Sequence, residues 1–359
     1  MSILHSVVVT GGGTAGHVIP SKPIIERLCS KGTKVIFIGS TSGLEERLIE
    51  DLDIEFRGIT TGKLRRYFSL QNVLDMFRVP VGILQASFLM LRLKPQVVFS
   101  KGGYVAFPVV VAAWLNRIPV ISHESDLTAG LANRMALPFT DTLCVNFSAS
   151  KINAKHILVT GTPVRKALLE GNAQRAKEWL KLESSKPVLV VVGGSLGAEN
   201  VNAIVRDALG ALCAIYHVVH ICGPGKLSDE HDGTDNYQQF EYVDEYWGDV
   251  LALADVVVSR AGANSLYELL SLRKPNLLVP LPLTASRGDQ IENAEMAEKS
   301  GWSLVIQEDE LNPTNLVEHV DTLIKEHDQW CERLESFERL DSVELIEQLL
   351  QSSVAKKAR

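Results

Sequence analysis

The stretch VVVTGGGTAG (residues 7–16) decides the fold, and VVVGGSLG (residues 190–197) repeats its design in the second half of the chain. Each stretch is a short run of valines followed by G-G-[ST]-x-G and then by a segment of helical periodicity. A buried β-branched run that leads into glycines and a helix is typical of a βα unit in a parallel sheet. The repeat therefore predicts two doubly wound α/β domains, each opening with a glycine-rich turn.

Other apolar runs alternate with helical segments along the whole chain. They predict strands near 5–10, 34–39, 54–59, 96–99, 118–122, 142–145 and 156–159, and after the turn at 161–163 near 187–192, 216–222, 255–259, 276–280 and 303–306. We place one domain at 1–162 with about 337–359, because the last helix is expected to cross back, and the other at 163–336. Ligands of such sheets bind at the carboxyl ends of strands, so a cleft between the two domains is predicted.

Composition excludes several classes of protein. The 359 residues carry a net charge of −7, which argues against a nucleic-acid-binding protein because such proteins carry a basic surface. The five cysteines lie far apart without a C-x-x-C, which fits a reducing compartment and argues against structural zinc. The N-terminus leads directly into a strand, so no signal peptide is expected, and the apolar stretch 79–93 is too short for a membrane span. These features predict a cytoplasmic protein.

Two further loops share the glycine-rich character: SKGGY (residues 100–104) and SRAGAN (residues 259–264). Glycine lets a ligand approach the backbone closely, and the N–H groups at the start of the following helix favour an anion. Lys101 and Arg260 are placed to offset phosphate charge. Any one of these loops is explained equally well as a tight βα connection without a ligand.

The first glycine loop also matches the dinucleotide fingerprint G-x-G-x-x-G at Gly11, Gly13 and Gly16. That fingerprint requires an acidic residue after the second strand, where this chain has Gly39 and Ser40. The missing acid argues against a nicotinamide-dependent oxidoreductase.

Glu268 is the strongest candidate for a nucleoside contact, because a carboxylate there could accept hydrogen bonds from both ribose hydroxyls. Ser265 and Glu268 also match a capping box, S-x-x-E, and the sequence leaves both interpretations open. Asp289, Gln290 and Asn293 lie within one helical turn and could bind sugar hydroxyls. A polar helix start is an equally common explanation of these three residues.

Together these residues resemble glycosyltransferase family 28, whose members have the GT-B fold: two Rossmann-like doubly wound domains facing across a cleft. The matching segments keep the family's order from about residue 7 to 294. They are Gly12 to His17, Lys101 to Tyr104, His123-Glu124, Gly161 to Arg165, Gly193 to Ala198, Arg260 to Ala263 with Glu268, and Asp289-Gln290 with Asn293.

The resemblance implies an inverting transfer of N-acetylglucosamine from UDP-N-acetylglucosamine to the muramoyl sugar of an undecaprenyl-diphosphate-linked peptide. This is a step of peptidoglycan synthesis, and hence of cell-wall biogenesis, cell shape and cell division. The first domain would bind the acceptor and the second the donor. Donor contacts are implied at Thr14, Gly16, Arg165, Ser195, Val243, Ala263, Asn264, Ser265, Glu268, Asp289, Gln290 and Asn293. Acceptor-diphosphate contacts are implied at Gly13, Lys101, Gly102, Gly103 and Tyr104.

The base that takes the acceptor proton is predicted to be His17, with Glu124 and Asp126 as alternatives. His17 is expected at a helix N-terminus, where the dipole favours neutral imidazole, although it could equally hold a phosphate or a loop. The family has H-E-Q-N where this chain has His123-Glu124-Ser125-Asp126, which places the acceptor's identity in question more than the donor's. No metal cluster stands out, so no tightly bound cofactor is expected, although a divalent cation could stimulate transfer.

The segment 61–95 carries six basic residues and one acidic residue, interleaved with apolar side chains. Arg65, Arg66, Phe68, Phe77 and Arg78 are the predicted core of a patch that binds an anionic membrane, at its cytoplasmic face. A core-facing helix is the alternative explanation. The rival functions are a UDP-N-acetylglucosamine 2-epimerase, a related glycolipid transferase and an inactive nucleotide-binding module.

Overall fold

The computed structural model describes residues 4–62, 70–183 and 185–357. The chain divides into two compact units: unit 1 is Met1–Arg165 with Leu340–Arg359, and unit 2 is Lys166–Arg339. The sequence had placed these divisions at 162/163 and at about 337. Both units are layers of helices around a parallel sheet.

Unit 1 contains a seven-stranded parallel sheet in the order β3-β2-β1-β4-β5-β6-β7. Its strands are β1 (Ser6–Thr10), β2 (Lys34–Ser40), β3 (Glu55–Ile59), β4 (Val97–Ser100), β5 (Val120–Glu124), β6 (Thr142–Val145) and β7 (Ile157–Val159). Its helices are α1 (Lys22–Ser30), α2 (Glu45–Leu48), α3 (Leu70–Leu93), α4 (Ala106–Leu115), α5 (Leu131–Ala136) and, at the C-terminus, α15 (Ser342–Lys357).

The valine run of β1 explains why this sheet is covered on both faces. Val7 and Val9 belong to one apolar cluster with residues of α1 and α15, such as Ile24 and Ile346. Val8 points to the opposite face and packs in a second cluster with Met90 of α3 and residues of α4. Alternation along one strand thus fills two cores, and full burial of such a side chain contributes roughly 1.5–3 kcal/mol.

The last helix, α15, packs in unit 1. Ile346 and Leu350 are buried in the cluster that contains Val7 and Val9. Between them on the same helix, the buried Glu347 carboxylate accepts hydrogen bonds from Arg27 Nε (2.9 Å) and from Lys31 Nζ. Apolar packing and this ion pair together hold the end of the chain against α1.

Unit 2 contains a six-stranded parallel sheet in the order β10-β9-β8-β11-β12-β13. Its strands are β8 (Val188–Val192), β9 (His217–Ile221), β10 (Tyr237–Phe240), β11 (Val256–Ser259), β12 (Asn276–Leu278) and β13 (Leu304–Val305). Its helices are α6 (Lys166–Leu169), α7 (Ala173–Leu180), α8 (Glu199–Asp207), α9 (Leu209–Ile215), α10 (Trp247–Leu253), α11 (Ala263–Ser271), α12 (Asp289–Lys299), α13 (Pro313–Lys325) and α14 (His327–Glu335).

Every strand predicted from the sequence is present, so the prediction of two parallel-sheet domains is confirmed. The edge strand β10 was missed. Gln238 and Gln239 lie at its centre, and an edge strand needs little apolar character because only one neighbour covers it.

The two sheets share one feature that positions ligands. In unit 1 the strand order reverses between β1 and β4, and in unit 2 it reverses between β8 and β11. Loops that leave the carboxyl ends of these strand pairs diverge to opposite faces of the sheet and leave a crevice, which is where doubly wound sheets bind ligands. The four glycine-rich loops found in the sequence are the four loops at these two reversal points.

Candidate active site

The two reversal loops of unit 1 are bonded to each other. They follow β1 (residues 11–14, the β1 loop) and β4 (residues 101–104, the β4 loop). Gly12 N donates to Gly102 O at 3.1 Å, and Lys101 N donates to Thr10 O at 2.8 Å. A Cβ atom on Gly103 would overlap the Gly12 carbonyl oxygen. The glycines here therefore permit protein backbone to pack against protein backbone.

A buried carboxylate supports the β1 loop from below. Glu45, the first residue of α2, is fully buried, and its Oε1 accepts a hydrogen bond from Gly13 N at 2.8 Å. Its Oε2 accepts a longer bond, 3.4 Å, from Ser40 N at the end of β2. Sequence reasoning missed Glu45, because its partner lies 32 residues away and no motif links the two.

A second carboxylate supports the β4 loop through an amide. Glu124 Oε2 accepts hydrogen bonds from Asn133 Nδ2 (2.7 Å) and Gly130 N (3.2 Å), while Oε1 accepts from Asp126 N (3.2 Å). Asn133 Oδ1 then accepts from Gly103 N at 3.0 Å. Both oxygens of Glu124 are thus committed to backbone and amide donors. This arrangement favours a loop-holding role over the predicted role of Glu124 as a base.

The backbone N–H groups of the residues predicted to contact the acceptor diphosphate have acceptors within the protein. Gly13 N donates to Glu45, Gly103 N donates to Asn133, and Gly102 N donates to Ser100 Oγ at 3.3 Å. The contact of Gly13, Gly102 and Gly103 with the acceptor diphosphate stays a prediction, and these N–H groups would have to exchange partners to make it. Tyr104, the fifth predicted contact, is half-buried beside Gly13.

Lys101 is also directed inward. Its side chain is buried, with 1% exposure, and its Nζ donates to Ser125 Oγ. Burial lowers the pKa of Lys101 to about 8, against the opposing attraction of Glu124 and Asp126. Lys101 Nζ thus lies beside Ser125, which directly follows β5, and not at the surface of its own loop. This position does not fit the predicted contact of Lys101 with a phosphate.

His17 lies on the same loop system but not at a helix start. It ends a single 3-10 turn, Ala15–His17, and α1 begins only at Lys22. The helix-dipole argument for a neutral imidazole is therefore wrong. His17 is half-buried, and its Nδ1 bonds Thr14 Oγ1 at 2.9 Å.

His123 and Asp126 differ sharply in exposure. His123 is buried, its Nε2 donates to Gly161 O at 2.8 Å, and burial lowers its pKa well below the usual value. Asp126, three residues later, is only half-buried. Among the predicted bases, Asp126 and His17 are the ones with side chains that reach solvent.

The two reversal loops of unit 2 have open space at one glycine each, Gly194 and Gly262. They follow β8 (residues 193–198, the β8 loop) and β11 (residues 260–262, the β11 loop). No heavy atom lies within 4 Å of the position that a Cβ would take on Gly194 or on Gly262. Ser195 is exposed, and helix α11 begins directly after the β11 loop, so the N–H groups of its first turn at Ala263, Asn264 and Ser265 have no intrahelical acceptor. This arrangement can accept an anion.

A neutral histidine supports the β8 loop. His220 is fully buried; its Nε2 bonds Asn202 Oδ1 and its Nδ1 bonds Tyr237 OH, both at 3.0 Å. Asn202 Nδ2 donates to Cys222 O at 2.8 Å, next to the point where Gly197 packs on Gly223. Burial lowers the pKa of His220 to about 3, and Arg206 acts in the same direction.

The capping-box interpretation of Glu268 is wrong. Helix α11 begins at Ala263, its N-cap is Gly262, and that cap has no side-chain hydrogen bond. Ser265 therefore lies inside the first turn and does not cap the helix. Glu268 is half-buried and does not form a capping box with Ser265, and its contact with the ribose stays a prediction.

Three other predicted donor contacts are tied to the protein. Asn293 is fully buried and its Nδ2 donates to Ala261 O at 3.2 Å, so it holds the β11 loop. Gln290 Oε1 accepts from Leu281 N at 3.0 Å, which directs its amide. Asp289 forms an ion pair with Arg287 (3.3 Å).

Arg260 does not offset phosphate charge as predicted. It is buried, donates to Val279 O at 3.1 Å and to Pro280 O at 3.3 Å, and forms an ion pair with Glu308. Val243 is buried just after the edge strand β10. Arg165, the last residue of the first segment of unit 1, has a buried Nε with no hydrogen-bond partner among the described residues.

Helix α3 presents an apolar stripe to solvent. Phe77, Val81, Leu84, Phe88 and Leu91 recur every three or four residues on one helical face, and Phe77 and Leu84 are 66% and 71% exposed. Ala86 and Met90 occupy the buried face. The core-facing interpretation is therefore wrong for the stripe. Of the predicted patch, Phe77 and Arg78 are exposed, whereas Arg65, Arg66 and Phe68 lie outside the described residues. None of the described helices is long and apolar enough to cross a membrane.

Known proteins match both units. Residues 7–145 match the glycosyltransferase family 28 N-terminal domain, and residues 188–349 match its C-terminal domain. A Legionella pneumophila (strain Paris) protein named UDP-N-acetylglucosamine--N-acetylmuramyl-(pentapeptide) pyrophosphoryl-undecaprenol N-acetylglucosamine transferase is 51% identical over 327 residues, 90% of each chain. A Clostridium perfringens (strain ATCC 13124) protein of the same name is 46% identical over 328 residues, 91% of this chain and 92% of that one.

Among solved structures, Acinetobacter baumannii MurG aligns with a TM-score of 0.77 at 25% identity, over 97% of this chain and 99% of that one. Two parallel-sheet units with a glycine loop pair at each reversal point, in a chain with such neighbours, define a GT-B glycosyltransferase. More narrowly, the chain belongs to glycosyltransferase family 28.

Proposed function

We propose that this protein transfers N-acetylglucosamine from UDP-N-acetylglucosamine to the muramoyl sugar of an undecaprenyl-diphosphate-linked muramoyl-pentapeptide. The observation that carries the proposal is the 51% identity, across 90% of both chains, to a relative whose name states this reaction. The open space at Gly194 and Gly262 in unit 2 supports it, because a nucleoside diphosphate must approach the backbone closely.

The donor side of the proposal is specific. The first turn of α11 and the hydroxyl of Ser195 bind the diphosphate, with the positive ends of α8 and α11 offsetting its charge. Glu268 accepts hydrogen bonds from the ribose, Val243 contacts the base through its backbone, and Gln290 contacts the sugar. Arg165 contributes a guanidinium whose buried Nε lacks a hydrogen-bond partner among the described residues.

The chemistry is a single displacement. The acceptor hydroxyl oxygen forms a bond to the anomeric carbon, the bond from that carbon to the UDP oxygen breaks, and UDP leaves with the electron pair. His17 takes the hydroxyl proton in our proposal, with Asp126 as the alternative. The groups that hold UDP stabilise the charge that develops on it. We expect no tightly bound cofactor to be required.

The test is a turnover assay with UDP-N-acetylglucosamine labelled in its sugar. The assay is run with and without the lipid-linked muramoyl-pentapeptide. Acceptor-dependent appearance of label in the lipid, with UDP released, supports the proposal. Conversion of the donor to an epimeric sugar nucleotide without transfer indicates the epimerase. Tight UDP binding without any reaction indicates a binding module.

We also propose that the α3 stripe and Arg78 bind the surface of an anionic membrane, which places the protein peripherally at the cytoplasmic face where lipid-linked acceptor is presented. The test is co-sedimentation with vesicles of anionic lipid. Replacing Phe77, Leu84 and Phe88 by Ser should abolish binding, whereas Leu227→Ser, an exposed leucine in unit 2, should not. Binding that survives the triple substitution contradicts this role for α3.

A further inference from the structure

The Glu45 carboxylate is buried beside the β1 loop without a cationic partner among the described residues. Its side chain has 0% exposure, and within the described ranges no Lys, Arg or His pairs with it. Taking a carboxylate out of water costs several kcal/mol, and here only two backbone N–H groups offset that cost. A group retained at such cost is a candidate for a role in positioning.

The β1 loop is shaped around this carboxylate. A Cβ atom on Gly12 would overlap Glu45 Oε1, and a Cβ atom on Gly43 would overlap Oε2. Neither Gly12 nor Gly43 has a positive φ angle, so the backbone itself does not require glycine at either position. Two glycines are therefore explained by the space that Glu45 occupies.

A short chain of contacts connects Glu45 to His17. The carboxylate holds Gly13 N at 2.8 Å, the next residue is Thr14, and Thr14 Oγ1 bonds His17 Nδ1 at 2.9 Å. His17 N also donates to Thr14 O at 3.1 Å. Any shift of Gly13 is thus passed to the imidazole within four residues.

We propose that Glu45 is a positioning residue of the transfer reaction, whose carboxylate fixes the β1 loop and thereby the orientation of Thr14 and His17. The inference rests on the proposed function. It adds a residue that does not contact substrate but sets the geometry of groups that do. Misplacement of a reacting group by about 1 Å can lower turnover by about 100-fold.

The experiment compares Glu45→Gln and Glu45→Ala with the parent chain in the turnover assay. We expect kcat to fall about 10- to 100-fold in Glu45→Ala. The fall should be smaller in Glu45→Gln, because the amide oxygen still accepts from Gly13 N. UDP affinity should change less than kcat does, because most of the predicted donor contacts, Ser195 and Glu268 among them, belong to unit 2.

Glu347→Gln is the matched control. Glu347 is also a buried carboxylate of unit 1, but it pairs with Arg27 and Lys31 at α1, away from the glycine loops. Its substitution should lower stability and leave kcat near the parent value. A merely structural role for Glu45 predicts that the Glu45 and Glu347 variants behave alike, and that result overturns the inference.

Gly12→Ala keeps the test decisive if Glu45→Ala does not fold. The added methyl should displace the carboxylate and lower kcat, and combining Gly12→Ala with Glu45→Gln should cost less than the product of the two separate losses. Parent-like kcat in both Gly12→Ala and Glu45→Gln contradicts the inference. Failure of the parent chain itself to transfer label would instead contradict the proposed function.

Discussion

The glycine loops of the two units share a motif, a backbone conformation and a place in the sheet, yet they differ in what they contact. Gly103 and Gly194 both have φ of +83°. Gly103 packs against the Gly12 carbonyl, whereas Gly194 faces open space. A glycine-rich sequence after a strand therefore specifies a βα turn. Whether that turn binds a ligand depends on which other atoms already fill the space around it.

The groups that support the loops differ in charge as well. In unit 1 the supports are the carboxylates of Glu45 and Glu124, whereas in unit 2 they are the neutral imidazole of His220 for the β8 loop, with Arg206 nearby, and the amide of Asn293 for the β11 loop. Buried negative charge beneath a loop repels an anion, and the repulsion is stronger at low dielectric. The difference favours unit 2 as the site of the donor's nucleoside diphosphate.

The largest expected effect is on the free energy of unfolding, when alanine replaces the closely packed Gly103 of unit 1 or the open Gly194 of unit 2. Gly194→Ala should cost about 1–2 kcal/mol for its left-handed backbone. Gly103→Ala has the same φ and adds an overlap with the Gly12 carbonyl, which should cost about 1–3 kcal/mol more. Urea unfolding followed by far-UV circular dichroism measures both. Equal losses would mean that the loops of unit 1 are not closely packed, and the comparison would fail.

The sequence predicted the turns but not this difference. Runs such as Val190-Val191-Val192 determine buried strands locally, and the glycines that follow determine the turn, so the reversal-point loops were found without a structure. Glu45 and Gly13 meet only because the fold brings α2 to the β1 loop. No pattern within one segment encodes such a contact, which is why the sequence did not show that the N–H group of Gly13 has an acceptor within the protein.

The same limit applies to helix starts. Ser265 and Glu268 have capping-box spacing, but α11 begins two residues earlier, at Ala263, where no side chain caps it. The first N–H groups of a helix have no intrahelical acceptor, and the first turn of α11 is part of the diphosphate site that we propose. The failed local rule therefore coincides with the loop that we propose to bind the donor.

The second expected effect tests whether the open space at Gly262 of unit 2 is occupied by the diphosphate of UDP. Gly262 has φ of −63°, and no atom lies near its Cβ position, so neither backbone nor packing in this structure requires glycine. If a diphosphate approaches there, Gly262→Ala should weaken UDP binding by about 10- to 100-fold, the equivalent of about 1.4–2.8 kcal/mol. Isothermal titration calorimetry with UDP provides the measurement.

Gly210→Ala is the control for that substitution. Gly210 lies in helix α9 with no atom near its Cβ position, and it is outside the reversal loops. Its replacement should stabilise the protein by about 0.5–1 kcal/mol through helix propensity and leave UDP affinity unchanged. If Gly262→Ala also binds UDP normally, the β11 loop does not approach the diphosphate.

The smallest expected effect is a loss of stability at acidic pH, which arises from the neutral histidine that supports the β8 loop. The folded-state pKa of His220 is depressed from 6.5 to about 3, so below pH 6.5 the unfolded chain binds a proton that the folded chain excludes. The stability that this neutral histidine contributes is present above pH 6.5 and declines as the pH falls towards 3. Between pH 7.5 and 5.5 the loss should be about 1.4 kcal/mol.

His220→Gln should remove the loss of stability that His220 causes between pH 7.5 and 5.5. The pH dependence that other groups contribute should remain. Tryptophan fluorescence during urea unfolding reports mainly on unit 2, because Trp179, Trp247, Trp302 and Trp330 lie there and only Trp114 lies in unit 1. The same pH dependence in His220→Gln and in the parent would show that His220 does not remain neutral beneath the β8 loop. A smaller acid response in unit 2 of the variant would confirm that a neutral imidazole supports the β8 loop, in contrast to the carboxylates that support the loops of unit 1.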